Sequence, residues 1–101
     1  MFSYKANFKN YIEIGRKIKE IVNSFDPNAK LYIFGSAVKG KNVASSDIDV
    51  LIITEKIELK YEIMVKVFKS IDEPIELHII TREIFDKWYR RFIPIEELVE
   101  I

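Results

Sequence analysis

The stretch "IFGSAVKGKNVASSDIDVLII", residues 33–53, runs from an apolar strand into a Gly-Ser break, through a polar loop, and back into an apolar strand headed by two aspartates. The second run, "DIDVLII" (47–53), is apolar on both faces once its aspartates are passed, the pattern of a central strand. Side chains two apart on a strand share a face, so Asp47 and Asp49 project together while Ile48 and Val50 go to the other side. Two carboxylates at the end of a buried strand repel one another. A cation between them relieves that cost, and hard oxygen donors suit Mg²⁺ or Mn²⁺.

Working outward, "KLYIF" (30–34) is a short β-rich run. Before it, Phe8, Tyr11, Ile12, Ile18, Ile21, Val22 and Phe25 recur at helical spacing until "DPN" ends the pattern. After the aspartate strand, Leu59, Ile63, Val67 and Ile71, with Met64 and Phe68 beside them, predict a second helix. Pro74 then introduces a third strand, "IELHII" (75–80), and Thr81 can cap a third helix, "REIFDKWYRRF". In that helix the aromatics are expected to pack inward and Arg90 and Arg91 to stay wet. Pro94 suits the first position of a last short helix, "PIEELVEI". The order predicted is α-β-turn-β-α-β-α-α, a single α/β (α+β) domain over 1–101 with a small mixed sheet packed against helices.

Glu76 alternates with Ile75 and Leu77, so it leaves the apolar face, and a neighbouring strand can bring it beside Asp47 and Asp49. Three carboxylates on adjacent strands can hold two divalent ions, an arrangement that serves phosphate chemistry. The Gly35-Ser36 break is where phosphates belong. Glycine lets a ligand approach the backbone, and Ser36 can cap a helical turn whose N–H groups attract anions, with the positive charge of Lys39 nearby. Lys41 is either a further phosphate contact or the solvated rim of the loop. His78 shares the face of Glu76, and a lone strand histidine is more often a hydrogen-bonded structural residue than a ligand.

Composition sets the limits around this reading. The 101 residues are 49% hydrophobic, enough for one modest core, and sixteen basic residues balance sixteen acidic ones. No general charge steers the chain toward nucleic acid, and "WYRR" (88–91) alone is weak support for RNA binding. There is no cysteine, which excludes disulfides and thiolate metal sites and fits a reducing compartment. No stretch approaches the length of a bilayer span and no leader pattern opens the chain, so a cytoplasmic location is expected.

Gly35-Ser36, ten intervening residues, Asp47-Ile48-Asp49 at the head of a strand and an acid on a later strand together resemble the signature of the DNA-polymerase-β-like nucleotidyltransferase superfamily. The match is nearest to its minimal bacterial and archaeal branch. The resemblance implies that Gly35 and Ser36 contact the nucleotide phosphates and that Asp47 and Asp49 bind both metals. It also implies that the third acid binds the catalytic metal and helps to deprotonate the nucleophile. That acid is usually aspartate, and here it is Glu76, one methylene longer. Two Mg²⁺ ions, with Mn²⁺ as a substitute, and ATP as substrate follow from the same likeness. Members of the minimal branch are commonly paired with a HEPN-domain toxin, which they are thought to neutralise by transferring AMP to a tyrosine. The resemblance therefore implies an antitoxin protein adenylyltransferase. The alternatives are transfer to a small molecule or an RNA end, and a non-catalytic module that silences its partner by contact. Ile93, Ile95, Leu98, Val99 and Ile101 crowd the last nine residues and offer a surface for self-association.

Overall fold

The computed structural model describes residues 11–39 and 47–101. Phe8 and Lys41, both singled out above, lie outside them. The elements are α1 (Tyr11–Phe25), β1 (Lys30–Phe34), α2 (Ser36–Lys39), β2 (Ile48–Ile53), a 3₁₀ turn (Ile57–Leu59), α3 (Lys60–Ser70) and β3 (Ile75–Ile80). A helical run over 82–92 follows, comprising α4 (Arg82–Ile84), a π-helical turn (Phe85–Tyr89) and α5 (Arg90–Phe92), then a 3₁₀ turn (Ile95–Glu97) and β4 (Val99–Glu100). The four strands form one mixed sheet in the order β3-β2-β1-β4, with β2 parallel to β3 and β1 antiparallel to both β2 and β4. Among the described residues no helix is long and apolar enough to cross a membrane.

Strand alternation divides the apolar residues between two layers. Ile48, Val50 and Ile52 of β2 join Leu31, Ile33, Ile75 and Ile79 on one face, where Ile14, Ile18 and Val22 of α1 and Ile63 and Val67 of α3 cover them. Those helix residues recur every fourth position, the spacing that keeps one stripe on the sheet. Phe68 falls off the α3 stripe and is half-exposed. The other face carries Leu51 and Ile53 under Phe85, with Tyr32, Phe34, Ile80, Tyr89 and Leu98 around them. Burial of Val50, Leu51 and Ile52 is complete, which makes β2 the centre of both layers and contributes about 1.5 to 3 kcal/mol per side chain.

The turn between α1 and β1 is locked to the far end of β2. Asp26 is buried and accepts from the Thr54 hydroxyl at 2.5 Å and from Asn28 N–H at 3.0 Å, while Thr54 Oγ1 accepts from Lys56 N–H at 3.1 Å. The Thr54 hydroxyl, then the Asn28 N–H and the Lys56 charge, hold the Asp26 carboxyl below its ordinary value against the opposing effect of burial. Thr54→Val keeps the shape and removes the donor, so we expect a loss of about 1.5 to 3 kcal/mol at pH 7. A depressed folded-state pKa contributes stability above the ordinary carboxylate value and loses it as pH falls through the lower folded value. The gap between parent and variant in urea unfolding should therefore narrow in strong acid, and a gap independent of pH would show that the hydroxyl acts by packing alone.

Two expectations are corrected. "PIEELVEI" does not continue as a helix: after one 3₁₀ turn the chain extends, and Val99 and Glu100 pair with Ile33 and Tyr32. The free edge of β1 takes the segment because its backbone groups need partners, a demand that outweighs local helix propensity. Ile101 N–H then donates to Leu31 O, and the Ile101 side chain lies against Gly15, where an added Cβ would meet it at 2.9 Å. Leu98 and Ile101 thus pack within the fold, and Ile95 is the large apolar residue of that segment that stands exposed. Nor do all aromatics of the third helix turn inward. Phe85 and Tyr89 face the sheet, but Trp88 is 55% and Phe92 74% exposed. The π-helical turn, in which Arg90 N–H reaches back to Phe85 O, puts more residues into one turn and swings Trp88 off the inward stripe.

Candidate active site

Register decides which acids meet. Phe34 of β1 pairs with Asp49 of β2, and Asp49 pairs with Glu76 of β3, so the three form one row across the sheet on the face opposite α1 and α3. Leu51 and His78 pair in the second row down, so the histidine follows Glu76 along the same face. Asp47 is exposed and stands immediately before β2.

Gly35 follows Phe34 directly and has φ +86°, a conformation that L side chains rarely adopt. Its backbone lies against the Asp49 carboxylate, so that a Cβ at this position would collide with Asp49 Oδ2. Gly35 O accepts from Val38 N–H at 3.1 Å, which starts the turn of α2, and Ala37 and Val38 anchor that turn on the core. Ser36 and Lys39 are the first and last residues of α2. The chain reversal at Gly35 and the head of β2 are therefore adjacent.

The Asp49 carboxyl is pushed above its ordinary value. Burial is the main cause, the neighbouring Glu76 carboxylate adds to it by charge and by hydrogen bonding, His78 opposes it, and Asp47 contributes a smaller upward push. Such a group favours any cation that approaches. His78 Nε2 lies 3.7 Å from Glu76 Oε2, and its Nδ1 lies 3.4 Å from the Tyr89 hydroxyl. Its ring packs tilted against Phe34, with centroids 5.6 Å apart, and edge-on to Tyr89 at 5.8 Å. Donor atoms of Asp49, Glu76 and His78 all lie within 4.8 Å of one another, and Asp47 stands outside that group. Two carboxylates and an imidazole at this separation fit a divalent cation.

A cavity of about 480 Å³ opens over the cluster, lined by Phe34, Asp49, Glu76, His78, Trp88, Tyr89, Phe92 and Ile93. Its polar groups converge on one side and its wall is aromatic, the make-up of a small-molecule site. The sequence reading placed the two aspartates and Glu76 here but not this wall. The signal available for it was the i, i+4 pair Trp88 and Phe92, left over once Phe85 and Tyr89 had been assigned to the core.

The architecture agrees with that of known proteins. A solved structure provisionally described as a nucleotidyltransferase is 33% identical, covers 85% of this chain and 95% of its own, and superposes with a TM-score of 0.69. A second structure with the same provisional description, from Sulfolobus solfataricus, shares the fold at 23% identity and a TM-score of 0.66, over 99% of this chain and 86% of its own. No curated protein is similar enough to count as a match. The family model for the nucleotidyltransferase domain matches residues 16–101. That span includes Gly35, Asp49 and Glu76, the residues that meet at the head of the sheet, and the chain belongs to the nucleotidyltransferase domain family.

Proposed function

We propose that this chain transfers AMP from ATP to a hydroxyl on a partner protein, most specifically a tyrosine of a HEPN-domain toxin. The observation that carries nucleotidyl transfer is the pairing of Asp49 with Glu76 directly against the positive-φ turn at Gly35. Asp49 and Glu76, with Asp47 at the strand head, are the residues to hold Mg²⁺ or Mn²⁺. When bound, the divalent ions supply charge neutralisation for the triphosphate and the leaving pyrophosphate.

The residues divide the remaining work. Gly35 and the backbone at the start of α2 let the phosphates approach, with Ser36 and Lys39 as their side-chain contacts. The acceptor oxygen attacks the α-phosphorus, the bond from that phosphorus to the bridging oxygen of the β-phosphate breaks, and pyrophosphate departs with that electron pair. The acceptor proton passes to the Glu76 carboxylate. Glu76 has its side chain 59% exposed, so it can reach an incoming hydroxyl.

An aromatic acceptor on a protein is favoured by the wall beside the acids. Trp88, Phe92 and Ile93 are apolar and continuous with the cluster, a surface suited to an aromatic side chain, and among the described residues no lysine or arginine lines the cavity. Label from α-³²P-ATP should appear on a tyrosine of the co-purified partner, with pyrophosphate released. Transfer of the γ-label would replace this reading with a kinase activity. Full neutralisation of the partner by a variant with alanine at Asp47 and Asp49 would replace it with silencing by contact.

A further inference from the structure

His78 is the chain's single histidine, and its ring stands beside Asp49 and Glu76 while packing against Phe34 and Tyr89. Strand alternation returns its side chain to the face of Glu76, and its donor nitrogen lies within 4.8 Å of an oxygen of Asp49 and an oxygen of Glu76. Around an ion with bonds of about 2.1 Å, neighbouring donors stand roughly 3 Å apart and opposite ones roughly 4.2 Å, so a small inward movement brings all three to one ion. Glu76 has the freedom to make that movement, with its side chain 59% exposed.

The ring is held from behind. Tyr89 places its hydroxyl 3.4 Å from Nδ1, and Phe34 packs against the ring. With the proton on Nδ1 and the tyrosine oxygen accepting it, the Nε2 lone pair faces the two carboxylates. A histidine whose outer nitrogen is held by such a partner is fixed in tautomer and orientation for ligation. The π-helical turn at Phe85–Tyr89 is what carries Tyr89 to this position while Phe85 stays in the core.

We propose that His78 Nε2 is a third ligand to the divalent ion held by Asp49 and Glu76, and that this mixed nitrogen–oxygen set takes Mn²⁺ more tightly than Mg²⁺. The inference rests on the reading above that these acids bind metal. Mg²⁺ prefers oxygen and keeps its waters, whereas an imidazole donor raises affinity for transition ions. Tyr89 is a positioning residue in this scheme.

The test is pulsed electron paramagnetic resonance of the untagged protein loaded with Mn²⁺ alone. Spin-echo modulation from one directly bound imidazole nitrogen is expected, and because the chain has one histidine the assignment is unambiguous. His78→Gln should abolish the modulation and lower Mn²⁺ affinity about 10- to 100-fold, and Tyr89→Phe should weaken Mn²⁺ binding in the same direction with the modulation retained. Mg²⁺ affinity should change far less in both. The nitrogen signal is read in the parent, so the result stands even where a variant fails to fold. Mn²⁺ binding that is lost in Asp49→Asn but shows no nitrogen modulation in the parent would overturn the ligand role and leave nucleotidyl transfer standing. Mn²⁺ binding untouched by both Asp49→Asn and Glu76→Gln would overturn the two together.

Discussion

Gly35→Ala is expected to lower the transfer rate by about 100-fold or more, although it adds one methyl group. Two independent costs fall on that methyl. The backbone at φ +86° is one that alanine adopts only under strain, of order 1 to 3 kcal/mol. The Cβ also occupies the place of the Asp49 carboxylate, which must swing away or push β1 from β2. A displacement of about 1 Å at a reacting centre is enough to cost about 100-fold. Rate and urea unfolding measured on the same preparation would check both parts. Transfer within about threefold of the parent would mean that neither the turn nor the position of Asp49 matters to the chemistry.

Asp49→Asn should move activity and stability in opposite directions. Loss of the central carboxylate removes several kcal/mol of transition-state charge stabilisation, a fall of roughly 1,000-fold or more in transfer. The metal-free protein should nonetheless melt a few degrees higher. Asp49 is partly desolvated and faces Glu76, so its folded-state pKa lies above the ordinary 3.8. A raised carboxylate costs nothing below its unfolded value, and the cost grows as pH rises through the folded one. The melting advantage of the asparagine should accordingly be absent near pH 3, appear as pH rises through that window and stay level beyond it. Calorimetry without divalent ions would show this, and an advantage that shrinks as pH rises would contradict the assigned shift.

The legible part of the molecule is the part governed by local period. β2 could be read because an unbroken apolar run headed by acids has few other uses, and Asp49 and Glu76 could be phased because alternation along a strand is rigid. Thr81 was readable as a cap for a similar reason, and its Oγ1 accepts from Ile84 N–H at 3.3 Å. Residues 94–101 misled because Pro94, Glu96 and Glu97 make a good helix start, while the deciding partner, β1, lies more than sixty residues earlier. Trp88 and Phe92 misled because a π-helical turn breaks the period by which the helix was read. His78, read as a hydrogen-bonded residue, does meet the Tyr89 hydroxyl at 3.4 Å, but its nearness to Asp49 on another strand and to Tyr89 on another element is set by register and packing. Neither relation leaves a mark in spacing.

The late arrival of β4 bears on how the protein is made. During synthesis the segments for α1, β1, β2 and β3 emerge first, and until Val99 and Glu100 follow, the outer edge of β1 presents unpaired backbone groups. A chain released or stalled before residue 99 would carry a sheet with an open, apolar edge, the form most ready to pair with another nascent copy. The same two-residue strand, followed by Ile101 seated over Gly15, closes that edge and ties it to the first helix in one step. The pairing of residues 99–101 with β1 and with the first helix is thus what separates the closed sheet from a template for aggregation.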